Sequence, residues 1–408
     1  MPNLSVLKST FFCLVLLFSS CKGTPQTKHT TPTTSEKEIK KEVIVAANRL
    51  NKYLPLLRNE RIAIVANPTS VIFKKDGYTH LVDSLLSHKI NIKKVFAPEH
   101  GFRGKADAGE LIKDEFDKKT GLPIISLHGK NKKPTKSQLK GLDLVIFDIQ
   151  DVGVRFYTYI ATLQLILEAC AENNISVIVL DRPNPNGHYV DGPTMQEEHT
   201  SFLGMTTIPL AYGMTIGEYA LMVNGEGWLK NALKANLTVI PSENYTYQTQ
   251  YSLPIRPSPN LPNDISINLY PSLGLFEGTN VNAGRGTEFQ FQRYGASFLD
   301  STAYRFSYVP KPNFGSKYPK EEGKTCYGKD LSQHQRINAV SLKWLMDAYT
   351  HTTDKSQFFK TESFTKHSGT TLLQKQIESG LSEEEIKKTW KEDIEKFKTI
   401  RVKYLLYN

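Results

Sequence analysis

Glu99, Asp148 and Asp151 each lie at or just beyond the end of a short apolar run, and Glu277 and Glu288 follow downstream. Carboxyl groups that converge from separate loops can cleave a glycosidic bond. One is held protonated as general acid while the other stays ionised as base or nucleophile. His100 adjoins Glu99 in Ala97-Pro98-Glu99-His100-Gly101, where it either tunes and orients the carboxyl group or sits on the surface. For Asp148 and Asp151 the plain alternative is a side chain that caps the following loop or helix. Clustered acids also bind divalent cations. No compact acidic loop is present, and no cysteine pair has zinc-site spacing, so no metal is expected.

The elements that must position these groups show as runs. Ile62 to Ala66, Ile92 to Ala97, Ile124 to Leu127, Leu144 to Ile149 and Ile175 to Leu180 are apolar and of strand length. Between the last two, Tyr159, Leu163, Ile166, Leu167 and Cys170 mark one face of a helix. Strands that are apolar on both faces suit a parallel sheet covered on both sides. Their alternation with helices predicts a doubly wound α/β, Rossmann-like domain over about residues 45–250.

Ligands of such sheets bind beyond the carboxyl ends of the strands. There the chain delivers Asn67-Pro68-Thr69-Ser70, Pro98 to Gly104, Asp148 to Tyr157 and Asp181 to Gly187 to one rim. A purely structural sheet needs no such gathering of carboxylates, histidine and arginines. No Gly-x-Gly-x-x-Gly turn follows the first strand and no P-loop is present, so no nucleotide cofactor is expected. The nucleophile elbow of serine hydrolases is missing too.

A helical stripe, Val43 to Leu54 closed by Pro55, precedes the first strand. Beyond about residue 250, Pro254, Pro257, Pro259, Pro262 and Pro271 break up the chain. Helices are expected near Val340 to Tyr349 and Glu383 to Lys398, the second opened by a capping box of Ser382 and Glu385. A last strand is expected at Arg401 to Leu406, which completes a smaller α+β domain over residues 251–408.

The chain has 408 residues, with 51 basic against 41 acidic side chains, so its net charge is +10. A 39% hydrophobic share rules out disorder and collagen-like repeats. No Lys/Arg block or RNA-binding signature points to nucleic acid, so the excess is a solvated surface or a preference for anionic substrates. Residues 1–20 have the form of an export signal, with Lys8 before the apolar run Phe11 to Phe18, which is too short to span a bilayer. Ser19-Ser20-Cys21 resembles a lipobox, which makes Cys21 the lipidated N-terminus, and residues 21–44 a disordered Thr/Ser/Pro/Lys-rich tether. Cleavage as a plain secreted protein is the alternative, because Phe18 stands where Leu is more usual. Cys170 and Cys326 then remain, and nothing in their spacing demands a disulfide.

Several of these motifs resemble one family. They are Ala97-Pro98-Glu99-His100-Gly101, Asp148-Ile149-Gln150-Asp151-Val152-Gly153-Val154-Arg155, Asp181-Arg182-Pro183-Asn184-Pro185 and Gly213 to Glu218. Pro257-Ser258-Pro259-Asn260-Leu261-Pro262 and the run from Tyr270 through Phe276-Glu277-Gly278-Thr279-Asn280 to Gly284-Arg285-Gly286-Thr287 continue the series. In this order, from about residue 45 to the end, they resemble the bacterial exo-β-N-acetylmuramidase family NamZ, long a domain of unknown function. The resemblance implies a Rossmann-like catalytic domain without nucleotide and a C-terminal domain that helps close the cleft. It implies release of N-acetylmuramic acid from non-reducing ends of peptidoglycan-derived chains. The lipid-tethered, exported form expected from the N-terminus would meet such fragments in the periplasm or at the outer membrane. Glu99 matches the Glu-His motif as general acid, with Glu277 as second candidate and Glu288 at the motif's edge.

Muramic acid carries a lactyl carboxylate, which a guanidinium binds in a bidentate fork. Arg103, Arg155, Arg182 and Arg285 all lie in motif loops, with Arg155 or Arg285 favoured for that contact. Phe156 and Tyr157 either stack on a sugar or are buried. Asn184, Asn186 and Asn280 either bind hydroxyls or form turns. The rival readings are a non-catalytic cell-wall glycan-binding lipoprotein and a different glycosidase or amidase specificity on the same scaffold.

Overall fold

The computed structural model describes residues 41–103 and 115–408. The expected signal at 1–20, Cys21 and the tether up to residue 40 lie outside the described residues. The sheet contains β1 (Ile62–Ala66), β2 (Ile92–Ala97), β3 (Glu115–Phe116), β4 (Pro123–Ser126), β5 (Leu144–Asp148), β6 (Ser176–Leu180) and β7 (Leu237–Ile240). Their order is β7-β6-β5-β1-β2-β4-β3, with only the edge strand β3 antiparallel to its neighbour. The chain builds outward from β1 to β4, then returns to β5 on the other side of β1. That return is the switch of strand order, where open sheets of this kind bind ligands.

The central strands β1 and β5 are buried along their whole length on both sides, as a parallel sheet requires. In β1, Ala63 and Val65 join one hydrophobic cluster while Ile62, Ile64 and Ala66 join the other. Val145 and Phe147 of β5 divide from Leu144 and Ile146 in the same way. Helices α1 (Leu81–Ser87), α2 (Tyr159–Glu172) and α3 (Ile216–Gly225) connect the strands. α2 buries the whole stripe from Tyr159 to Cys170, and α3 opens on a capping box of Thr215 and Glu218. β7 was not among the expected runs, because its burial is only partial and its Thr238 is exposed. The expected first helix comes as short pieces, Ala46–Asn48, Leu50–Tyr53 and Leu54–Leu57. Pro55 sits inside the last piece rather than closing it, since a helical first turn tolerates a missing N–H.

Beyond the sheet, α4 (Asp264–Leu273) is capped by Asn263 and leads into a helical turn, Gly274–Gly278. A three-stranded antiparallel sheet follows, with Cys326–Asp330 between Arg293–Ala296 and Phe306–Tyr308. The last helices are α5 (Lys343–Thr350), α6 (Thr361–Ser368), α7 (Glu383–Lys388) and α8 (Lys391–Arg401), with Leu372–Glu378 between α6 and α7. The single helix expected over Glu383 to Lys398 is thus two. The Thr389 hydroxyl bonds the Ile386 carbonyl at the break, competing with the helical ladder. The strand expected at Arg401 to Leu406 is instead the end of α8 and a turn, Val402–Tyr404. The tail finds side-chain partners rather than a strand, with the Leu406 amide donating to Glu218 and the Tyr407 hydroxyl to Asp181.

One hydrophobic cluster joins Val145 and Phe147 to Leu273, Phe276, Tyr294, Trp344 and Phe397, so the two halves of the chain share a core. Cys170 and Cys326 are both buried free thiols. No helix among the described residues is long and apolar enough to cross a membrane.

Candidate active site

After β2 the backbone turns through two successive left-handed residues, His100 at φ 70° and Gly101 at φ 75°. A non-glycine residue in that region carries strain of order 1–3 kcal/mol, which the surrounding fold must hold. The turn sets Glu99 and His100 into a cleft of about 190 Å³. His100 is buried, with Nε2 3.3 Å from the Ser258 hydroxyl. The wall is aromatic. Tyr157, in the loop before α2, and Tyr159, at the start of α2, meet edge to face at 4.9 Å, and Tyr270 of α4 lies 6.0 Å from Tyr157. Burial pushes the Tyr157 hydroxyl well above its ordinary range, so it stays a donor, at 2.6 Å from the Pro257 carbonyl.

The other side of the cleft comes from the C-terminal half. Glu277, in the turn after α4, faces it with Arg285 and His367. Two glycines shape the Arg285 loop. Gly284 and Gly286 have φ of 78° and 79°, and a side chain on Gly286 would meet Pro319 at 2.7 Å. Gly278 lets the backbone of α6 approach at Phe364, which brings His367 to the cleft. Arg285 Nη1 donates to Glu277 at 3.0 Å, and Lys320 Nζ donates to the Phe276 and Glu277 carbonyls at 2.8 and 3.2 Å. Burial pulls the Glu277 carboxyl up, but the charges of Arg285, Lys320 and His367 outweigh it and hold the group down at about 2. Burial also lowers Lys320 to about 8. A smaller cavity of about 160 Å³, lined by Lys320 and Tyr318, shares Glu277 and Arg285 with the cleft.

The structure brings together Glu99, His100, Phe156, Tyr157, Glu277 and Arg285 from the expected set. The others lie elsewhere, each for a visible reason. Asp148 and Arg182 form a fully buried ion pair, with bonds of 2.6 and 2.9 Å. Asp151 is buried, accepts from the Gly153 amide at 2.7 Å and from the Tyr212 hydroxyl, and is pushed up to about 6 by burial. Neither aspartate lines the cleft. Arg155 is enclosed, donating to the carbonyls of Pro193, Ile208, His367 and Ser368, so it ties three segments together rather than reading a substrate. Arg103 is engaged by Asp83 and Asp117. Asn184 donates to the Met214 carbonyl, Asn186 to those of Val152 and Ile267, and Asn280 to that of Gln357, so all three hold loops. Glu288 is exposed and outside the cleft.

Tyr159, Tyr270, His367 and Lys320 were not singled out. The first lies on the α2 stripe and the second opens a quoted motif. His367 and Lys320 stand in no motif, and only the tertiary fold carries them to Glu277. Among the described residues no three His, Cys, Asp or Glu groups are placed to hold a metal ion.

A Rossmann-like α/β sheet whose carboxyl rim carries a carboxylate-lined aromatic cleft, closed by a second segment, defines the class. Two family models match the chain, "Exo-beta-N-acetylmuramidase NamZ, N-terminal" over residues 62–265 and the corresponding C-terminal model over 268–407. The chain belongs to the NamZ family. It is 38% identical over 380 residues to the peptidoglycan beta-N-acetylmuramidase NamZ of Bacillus subtilis (strain 168), covering 88% of this chain and 89% of that one. Two crystal structures of DUF1343 family proteins from Bacteroides fragilis NCTC 9343 are similar. One is 44% identical with a TM-score of 0.82, the other 26% identical with 0.74, and each alignment covers 90% of this chain and 99% of the other.

Proposed function

We propose that this chain is an exo-acting glycoside hydrolase that releases N-acetylmuramic acid from the non-reducing ends of peptidoglycan-derived chains. One observation carries the proposal: Glu99 and Glu277 enter the same cleft from opposite halves of the molecule, and Glu277 is held ionised there. Glu99 then serves as the general acid that protonates the leaving oxygen. The Glu277 carboxylate faces the positive charge that develops on the sugar ring. Arg285 is the motif arginine in the cleft, and with Lys320 it supplies the cations for the lactyl carboxylate. The relative from Bacillus subtilis bears the name of this activity over nearly its whole length.

Soluble glycan chains with muramic acid at their non-reducing ends test the reading by mass spectrometry. One free N-acetylmuramic acid per chain, with the remainder ending in N-acetylglucosamine, is the expected product. Internal fragments, or intact chains, would contradict it.

The N-terminal reading extends the proposal to an exported lipoprotein that meets its substrate at the periplasm or outer membrane, anchored through Cys21. Metabolic labelling with palmitate is expected for the full chain and lost in Cys21→Ser. Labelling that persists in the variant would remove Cys21 as the anchor.

A further inference from the structure

A cavity of about 340 Å³ lies apart from the catalytic cleft. It lies at the end of β6, where Pro185 and Asn186 leave the sheet, and none of its lining residues lines the cleft. The two sites are neighbours through one stretch of chain. Gln250, Tyr251, Ser252 and Asp264 face the large cavity, while Ser258, Asn260 and Tyr270 of the same stretch face the catalytic cleft.

The lining is chemically mixed and fixed in place. Arg336 Nη2 donates to the Pro185 carbonyl at 3.0 Å and to His188 Nδ1 at 2.8 Å, which sets the guanidinium before any ligand arrives. The floor is tied as well, because Asn186 Nδ2 bonds the Val152 and Ile267 carbonyls, each at 3.0 Å. Tyr251 offers an aromatic ring, Gln250 an amide, Ser252 a hydroxyl and His334 an imidazole. Asp264 answers Arg336 across the lining, so a bound anion would meet a carboxylate and a bound cation a guanidinium. The catalytic cleft differs, since it sets Glu99 and Glu277 against Arg285, with Lys320 in the adjoining cavity. A cavity of balanced charge, with donors, acceptors and an aromatic face, suits a neutral ligand rich in hydroxyl and amide groups. Its volume falls at the lower end of the roughly 300–1,000 Å³ typical of small-molecule pockets.

We propose that this cavity is a second saccharide site, which takes a neutral N-acetylhexosamine unit of the glycan chain and holds that chain near the cleft. The proposal rests on the muramidase reading for its ligand but not for its geometry. Two variants test it: Arg336→Ala removes the fixed donor, and Ser252→Trp fills the exposed edge of the cavity without deleting a contact. Thermal melts first establish that both are folded. In a Glu99→Gln background, which stops turnover, binding of tetra-N-acetylchitotetraose is measured by calorimetry. Both variants are expected to bind it about tenfold more weakly, the equivalent of one or two lost hydrogen bonds. With Glu99 restored, kcat/KM on a small chromogenic muraminide is expected to stay within about twofold of the parent, while kcat/KM on long glycan chains falls about tenfold.

Unchanged chitotetraose binding in both variants would overturn the proposal. So would binding of free stem peptide, and not of sugar, at this cavity. A parent protein that is silent on the chromogenic muraminide would instead contradict the activity, and the calorimetric arm would still decide the site.

Discussion

Glu277 and its cations form the electrostatic centre of the cleft. Arg285, Lys320 and His367 hold the carboxyl at about 2 against the pull of burial, so it stays ionised across the working range. Removing Arg285 takes away the charge that acts most strongly on Glu277, and the Glu277 pKa must rise. The acid limb of the kcat/KM profile is therefore expected to move to higher pH in Arg285→Ala and partway back in Arg285→Lys; an unmoved limb would separate Glu277 from the chemistry. Arg182 has a different task. It neutralises Asp148 in full burial, and stripping one partner from such a pair typically costs about 3–5 kcal/mol. Arg182→Ala is expected to lose stability of that order in urea titration, whereas near-parent stability would mean that Asp148 is neutral without it. The sequence places both kinds of residue in equally suggestive motifs. Glu99, Glu277 and Arg285 face the cleft, while Arg103, Arg155 and Arg182 turn away to partners that motif adjacency does not reveal. Asp83 lies 20 positions from Arg103, and the His367 and Ser368 carbonyls lie more than 200 positions from Arg155.

Elements were legible where an apolar run enters the core, complete in β1 and broken only at Lys93 and Lys94 in β2. β1 and β2 match their apolar runs end to end, and the capping box at Ser382 forms as its spacing requires. The failures fall on segments whose partners are distant side chains. The C-terminal tail misread as a strand is pinned instead to Glu218 and Asp181, buried acids at the start of α3 and the end of β6. Burial, aided by the Asp181 charge, raises Glu218 to about 7. A folded-state pKa above the ordinary value of 4.5 favours the protonated form. The stability it contributes is full below about pH 4.5 and is lost as pH rises through about 7. The slope from one such group is at most about 1.4 kcal/mol per pH unit. Glu218→Gln is expected to flatten the fall in stability between these pH values, read by chemical denaturation at each pH. An identical slope in the variant would assign the dependence to other groups.

At the scale of the whole molecule, the two halves share one core and one cleft. The cluster that begins on β1 runs through Phe276 and Tyr294 to Phe397, so residues 42–250 alone would expose the apolar face that covers the sheet. That fragment is expected to give no cooperative melt, while residues 42–408 give one; a stable, cooperatively folding fragment would show the sheet to be self-sufficient. Composition and periodicity could not show this sharing, because Pro254 to Pro271 mark a boundary along the chain but not in space. The same sharing makes the catalytic proposal testable in one assay, since Glu99 comes from one half and Glu277 from the other. The most direct measurement is hydrolysis of a chromogenic β-N-acetylmuraminide by the protein lacking residues 1–21. The matching N-acetylglucosaminide and a folded Glu99→Gln variant run beside it. Release from the muraminide alone, falling by about 10²–10⁴ in the variant, is the predicted result. Equal release from both sugars, or undiminished release by Glu99→Gln, would contradict it.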